Sequence, residues 1–238
     1  GRHLRKETSA PNRARLARAM GPVKPAPMFS KTAKYDALIA LYARMAREGY
    51  DTRKGGRVTT AYADQEAVRF RHELKHLFAT HQIRSVLDYG GGGGDWHDKP
   101  VKEGGSLAAF LNVEDYRVFE PARAMNDREV TDAVVCFDVL EHVFIGDVGY
   151  VLNDVFAHAR RLVVINVAGY TANALLPTGE NAHITIRSAD WWQGAVDLVA
   201  SAWPDVTAAL DYSASYTQAN RLKPIRFADV NAADGFVR

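Results

Sequence analysis

Five consecutive glycines, Gly90 to Gly94, follow a short strand-like stretch, Ile83 to Leu87, and the pair Asp88-Tyr89. This feature constrains the fold more than any other. That stretch has the length of a strand and ends in an aliphatic pair, Val86-Leu87, before the acid. Residues without a Cβ directly after it let the chain turn through positive φ, and let a ligand lie against the main chain. Each glycine also adds an entropic cost to folding. A run of five therefore suits a ligand-binding turn better than a plain connection.

The spacing narrows the ligand. A dinucleotide fingerprint, G-x-G-x-x-G, needs glycine at the sixth position. Counting from Gly90, Gly91 or Gly92, that position holds Asp95, Trp96 or His97. A phosphate loop needs a Lys-Ser or Lys-Thr pair, and none follows. The pattern that fits is acid-x-Gly-x-Gly-x-Gly: Asp88, Gly90, Gly92, Gly94. It resembles the first motif of the class I S-adenosylmethionine-dependent methyltransferases. In that family the loop packs against the methionine part of the cofactor. The resemblance thus implies cofactor contacts at Asp88, Tyr89, Gly90, Gly91, Gly92 and Gly94.

Strand-like and helix-like segments alternate through most of the chain. Tyr35 to Glu48 has the apolar period of an amphipathic helix, and a second runs from about Asp64 to His81. Both precede the first strand and are expected to cap the mouth of the site. Strands are expected at Arg84–Asp88, Tyr116–Glu120, Ala133–Asp138 and Leu162–Val167. Helices are expected at Ser106–Leu111, Val148–Arg160 and from Asp190 to before Pro204. Val206–Asp211 and Ile225–Val230 could close the sheet as a pair. The fold class is α/β: a Rossmann-like, mostly parallel sheet with helices on both faces. The expected divisions are a basic disordered leader (1–30), an N-terminal helical cap (31–82) and a cofactor-binding methyltransferase domain (83–238).

In an open parallel sheet, ligands bind beyond the carboxyl ends of the strands. The second strand ends at Glu120, where a carboxylate can accept hydrogen bonds from both hydroxyls of a ribose. The resemblance assigns Glu120 that role. The next strand runs into Phe137-Asp138-Val139-Leu140-Glu141-His142-Val143, which looks like the fourth-strand motif of the same family. Phe137, Asp138 and Val139 would then lie beside the methionine moiety. Only twelve residues separate Glu120 from Ala133, too few for a helix, a strand and two loops. The third strand is expected to be lost or reduced to a stub near Arg128 to Val130, and Asp127 is the candidate for the adenine amine.

Methyl transfer needs an aligned nucleophile, and an oxygen or nitrogen acceptor can also need a base. His142 and His183 stand in suitable places, since histidine titrates near neutral pH. Asp138, Glu141, His142, Glu180 and His183 could instead converge on one ion, but spacing does not demand it and no metal is assigned. Tyr170 and Asn173 could line the acceptor pocket. Trp191-Trp192 reads as a helix anchor.

Absences trim the acceptors. The Asn/Asp-Pro-Pro-Tyr/Phe motif of base-amine methylation is missing. Cys136, the single cysteine, sits inside an apolar strand, and no lysine lies between Lys102 and Lys223. The net charge of +2 divides into +6 over residues 1–27 and −4 over the rest, which argues against nucleic acid as the acceptor. A small molecule remains. Tyr42 to Tyr50, Asn181-Ala182-His183 and Trp191-Trp192 together resemble methyltransferase-like proteins associated with cell-surface polysaccharide synthesis, which implies a saccharide.

The expected function is methyl transfer from S-adenosylmethionine, giving S-adenosylhomocysteine. A non-catalytic cofactor-binding regulatory or partner subunit is the alternative, and the failed fingerprint disfavours a nicotinamide oxidoreductase. Without an apolar run of membrane length or a secretory h-region, a cytoplasmic location is expected. Oligomeric state is open.

Overall fold

The computed structural model describes residues 29–59, 66–215 and 228–229. The expected leader, apart from its last two residues, lies outside them. Helix α1, Tyr35–Glu48, buries Leu38, Tyr42 and Met45 along one face, as their spacing dictates. Two short antiparallel strands follow, β1 (Tyr50–Asp51) and β2 (Arg57–Val58). Among the described residues the predicted second helix, whose start near Asp64 lies outside them, is two pieces, α2 (Glu66–Arg69) and α3 (Arg71–His81).

The main sheet then begins. Its strands in chain order are β3 (Ser85–Tyr89), β4 (Asp115–Glu120), β5 (Met125–Asn126), β6 (Thr131–Phe137), β7 (Ala159–Ala168), β8 (Thr207–Ser213) and β9 (Ala228–Asp229). Helix α4 (Leu107–Leu111) links β3 to β4, α5 (Val148–Ala157) links β6 to β7, and α6 (Ala189–Ala200) links β7 to β8. Ser106 caps α4 by accepting from the Ala109 N–H, and Ser188 caps α6 by accepting from the Trp191 N–H.

The order across the sheet is β5-β4-β3-β6-β7-β8-β9. The five inner strands are parallel, and the two-residue strands at each edge are antiparallel. This is the Rossmann-like sheet expected. From β3 the chain steps outward to β4, then returns to the other side of β3 as β6. That reversal opens a crevice beyond the carboxyl ends of β3 and β6. The reduced third strand is present, but as β5, paired back onto Phe119 and Glu120, and not at residues 128–130. The closing pair forms as β8 with β9.

Alternation along the strands separates two apolar layers. Leu87, Val134, Cys136, Val163 and Ile165 pack under α5 and α6, including the fully buried Trp192. Val86, Ala133, Val135, Leu162 and Val164 pack under α2, α3 and α4 through Phe70, Leu74, Phe78 and Leu107. The segment before β3 is therefore divided in its duties. Helices α2 and α3 cover a sheet face, while α1 lays Leu38, Tyr42 and Met45 on Ala172, Leu176 and Ala182 of the loop after β7. No helix among the described residues is long and apolar enough to cross a membrane.

Candidate functional site

The glycine turn is built to be bare. Gly90 has φ +82°, and a Cβ there would lie 2.3 Å from Val139 Cγ2. At Gly91 a Cβ would lie 2.8 Å from the Asp88 carboxylate. The Gly90 N–H donates to Phe119 O at 2.7 Å, tying the turn to β4. Asp88 works from behind. Its Oδ2 accepts from Trp96 Nε1 at 3.0 Å and from the Tyr116 hydroxyl at 3.1 Å, and Trp96 stacks on Tyr116.

Glu120 completes this wall. Oε2 accepts from the Gly92 N–H at 3.2 Å, and Oε1 from the Ala122 N–H at 3.0 Å. Burial raises its pKa, against the pull of those two N–H groups and of Arg123. Across the crevice, β6 gives way to Asp138 with φ +52° and then to a short 3-10 turn, Leu140–His142.

That turn carries a buried polar group. Glu141 has no solvent exposure. Its Oε1 accepts from the Ala168 N–H at 2.8 Å. Burial, and then the neighbouring Asp138 carboxylate, push its pKa well above the usual range. His142 Nδ1 lies 3.0 Å from Ala182 O and 3.0 Å from the Tyr42 hydroxyl, which itself donates to Ala182 O at 2.8 Å. His183 Nδ1 lies 2.5 Å from Tyr170 O. A carbonyl only accepts, so Nδ1 carries the proton on both rings and Nε2 the lone pair. The ring centroids are 4.7 Å apart, edge to face. Burial, with His183 adding to it, holds the pKa of His142 at about 3, so this ring is neutral at physiological pH. Asn181 fixes the loop, its Oδ1 accepting from the Ala172 and His183 N–H groups and its Nδ2 donating to Ala172 O.

These parts surround one cavity of about 560 Å³ at the strand reversal, roofed by α1. Of the residues predicted for the site, Tyr89, Gly90, Gly92, Glu120, Phe137, Asp138, Val139, His142 and His183 line it. So do Tyr170 and Asn173. Asp88, Gly91 and Gly94 are not in its lining and belong to the turn's support. Asp127 is not brought there: its carboxylate faces Arg117 at 3.2 Å. Trp192 is a core residue, and the thiol of buried Cys136 has its pKa raised well above normal by burial.

Sequence reasoning missed Arg69, which lines the cavity from α2 and pairs with Glu66. It is the one Lys or Arg among the described lining residues. Nothing local marks it, because an arginine three residues after a glutamate on a helix reads as a surface ion pair. The contact by which Tyr42 clasps His142 was not legible in the sequence. Compared with protein-family models, curated proteins and solved structures, the chain matches none.

Proposed function

We propose that this protein is an S-adenosylmethionine-dependent methyltransferase acting on an oxygen or nitrogen of a small molecule, with a saccharide the favoured class. One observation carries the reading. The glycine turn, Glu120 and the Asp138–Val139 segment come from three separate strand ends and line a single cavity, of a volume ordinary for small-ligand sites. In this reading Glu120 receives the ribose hydroxyls, the bare turn takes the methionine part, and Arg69 offers a cation to its carboxylate. The acceptor enters beside His142 and His183. Its lone pair forms the new bond to the methyl carbon, the sulfonium sulfur keeps the C–S electron pair as a neutral thioether, and the acceptor proton passes to the Nε2 lone pair of His183. S-adenosylhomocysteine is the product.

Calorimetric titration tests this. Saturable binding of S-adenosylmethionine and S-adenosylhomocysteine is expected, with no binding of NAD. Gly92→Val and Glu120→Ala should each weaken binding at least tenfold, since a hydrogen bond to a charged group contributes about 1.5–3 kcal/mol. Binding of NAD alone, or unchanged binding in both variants, rejects the assignment.

A second reading, a non-catalytic cofactor-binding partner subunit in the cytoplasm, draws on the two-residue β5 and on Asp127 facing Arg117. Both leave the adenine side without the expected acid. Cofactor binding with no methyl uptake by any glycan or small hydroxyl or amine compound would favour it.

A further inference from the structure

We propose that Glu141, His142 and His183 hold a divalent first-row metal ion, zinc or manganese, whose open positions take hydroxyl oxygens of the acceptor. One ligating atom from each of the three lies within 4.8 Å of the other two. An ion at the centre of such a triangle is at most about 2.8 Å from each atom. Zinc sits at roughly 2.0–2.2 Å from nitrogen and carboxylate oxygen, so modest side-chain rotation closes the site. Two imidazoles and one carboxylate with positions left open form the donor set of catalytic zinc and of related divalent metals, and not of calcium or magnesium.

Two further observations point to an ion. The first is Glu141 Oε2, which is buried and meets no N–H or O–H donor. A fully buried carboxylate oxygen without a donor is costly to leave bare, and a cation in the adjoining triangle would satisfy it. The second is the state of the two rings. Both histidines give their Nδ1 proton to a main-chain carbonyl, Ala182 O and Tyr170 O. This is the outer-sphere arrangement that orients a metal-bound imidazole through Nε2. Tyr42 and Asn181, holding Ala182 O and the His183 N–H, stiffen that arrangement.

His142 and His183 line the cavity, so the open positions face the acceptor's space. A hydroxyl bound to a divalent ion loses its proton more easily. Resting on the methyltransferase reading, this narrows the acceptor to hydroxyl compounds, above all a vicinal diol that can chelate. The proton passes to water, the oxygen's electron pair forms the bond to methyl, and the sulfur retains the C–S pair. A free histidine base is then unnecessary.

The test needs no turnover. Full-length protein is stripped with a chelator and titrated with Zn²⁺ by calorimetry and with Co²⁺ by visible absorption. One ion per chain is expected, with a first shell of two imidazole nitrogens and oxygen by X-ray absorption at the zinc edge. His183→Ala and Glu141→Gln should each weaken uptake by more than the roughly 10–100-fold typical of losing an outer-sphere partner, with folding checked by circular dichroism. No saturable uptake up to about 1 mM, a metal shell without imidazole, or unchanged affinity in a folded variant overturns the site. The X-ray absorption result decides even if both variants unfold. Metal uptake without cofactor binding keeps the site and rejects the methyltransferase; cofactor binding without metal uptake does the reverse.

Discussion

Gly90 is where one side chain can do the most damage at the site. Its φ of +82° disfavours any other residue, and a Cβ would enter the space of Val139. Gly90→Ala should cost about 2–4 kcal/mol, part from the left-handed backbone and part from overpacking. The two parts can be separated. In a Val139→Ala background the clashing methyl is gone, so the cost should fall to the backbone part, about 1–2 kcal/mol. Chemical denaturation of the four proteins of this cycle gives the coupling. Simple additivity would mean that the approach of Val139 does not set the need for glycine. At this scale the sequence was informative because bareness is written in the residue type. Arg69 and Tyr42 were opaque for the opposite reason: their types suit a helix surface and a helix core equally well.

The elements were legible where one face decides them. Helix α1 follows its apolar stripe from Tyr35 to Glu48, and strands β6 and β7 follow their Val-rich runs. Boundaries moved where tertiary contacts won. The predicted second helix breaks at Phe70, whose ring packs on Phe137 at 5.3 Å. Strand β7 begins at Ala159, because Ala159 pairs with Thr131, while the charged Arg160 and Arg161 disguise its start. The third-strand stub sits earlier than expected because Pro121–Arg123 form a 3-10 turn and Ala124 takes φ +56°. The chain reverses at once and pairs antiparallel, which composition does not announce.

One contact between elements predicts a pH response. Arg71 of α3 holds Glu103, in the loop before α4, by two hydrogen bonds of 2.8 Å. The Arg71 hydrogen bond lowers the pKa of Glu103 to about 2. A carboxyl with a depressed folded pKa stabilises the fold above its unfolded value, near 4.5. That contribution is lost as the pH falls through about 2. Glu103 is open to solvent, so the effect is small and weakened by salt. Glu103→Gln should therefore unfold at a lower temperature than the parent above pH 4.5, the gap closing towards pH 2. A gap independent of pH and salt would assign Glu103 a packing role instead.

The whole molecule is organised around the reversal between β3 and β6. Alternation of strands and helices made the sheet readable, and the acid-glycine spacing pointed to the crevice that the cavity occupies. That His142 and His183 could converge was legible in the sequence, but their contact was not. His142 and His183 are 41 positions apart, and only the fold brings their rings to 4.7 Å. The cavity draws its walls from α1, the turn after β3, the end of β4, the turn after β6 and the loop after β7. A ligand there touches parts that separate on unfolding, so its binding energy is linked to stability of the entire domain. At a hundred times its dissociation constant a ligand adds about 2.7 kcal/mol. For a chain of this size each kcal/mol moves the midpoint by roughly 2–4 °C. S-adenosylhomocysteine at that concentration should raise the thermal midpoint by about 5–11 °C, and the Glu120→Ala protein should show a much smaller rise. A rise confined to NAD, or an equal rise in Glu120→Ala, would mean that the cavity recognises something other than a ribose held by that carboxylate.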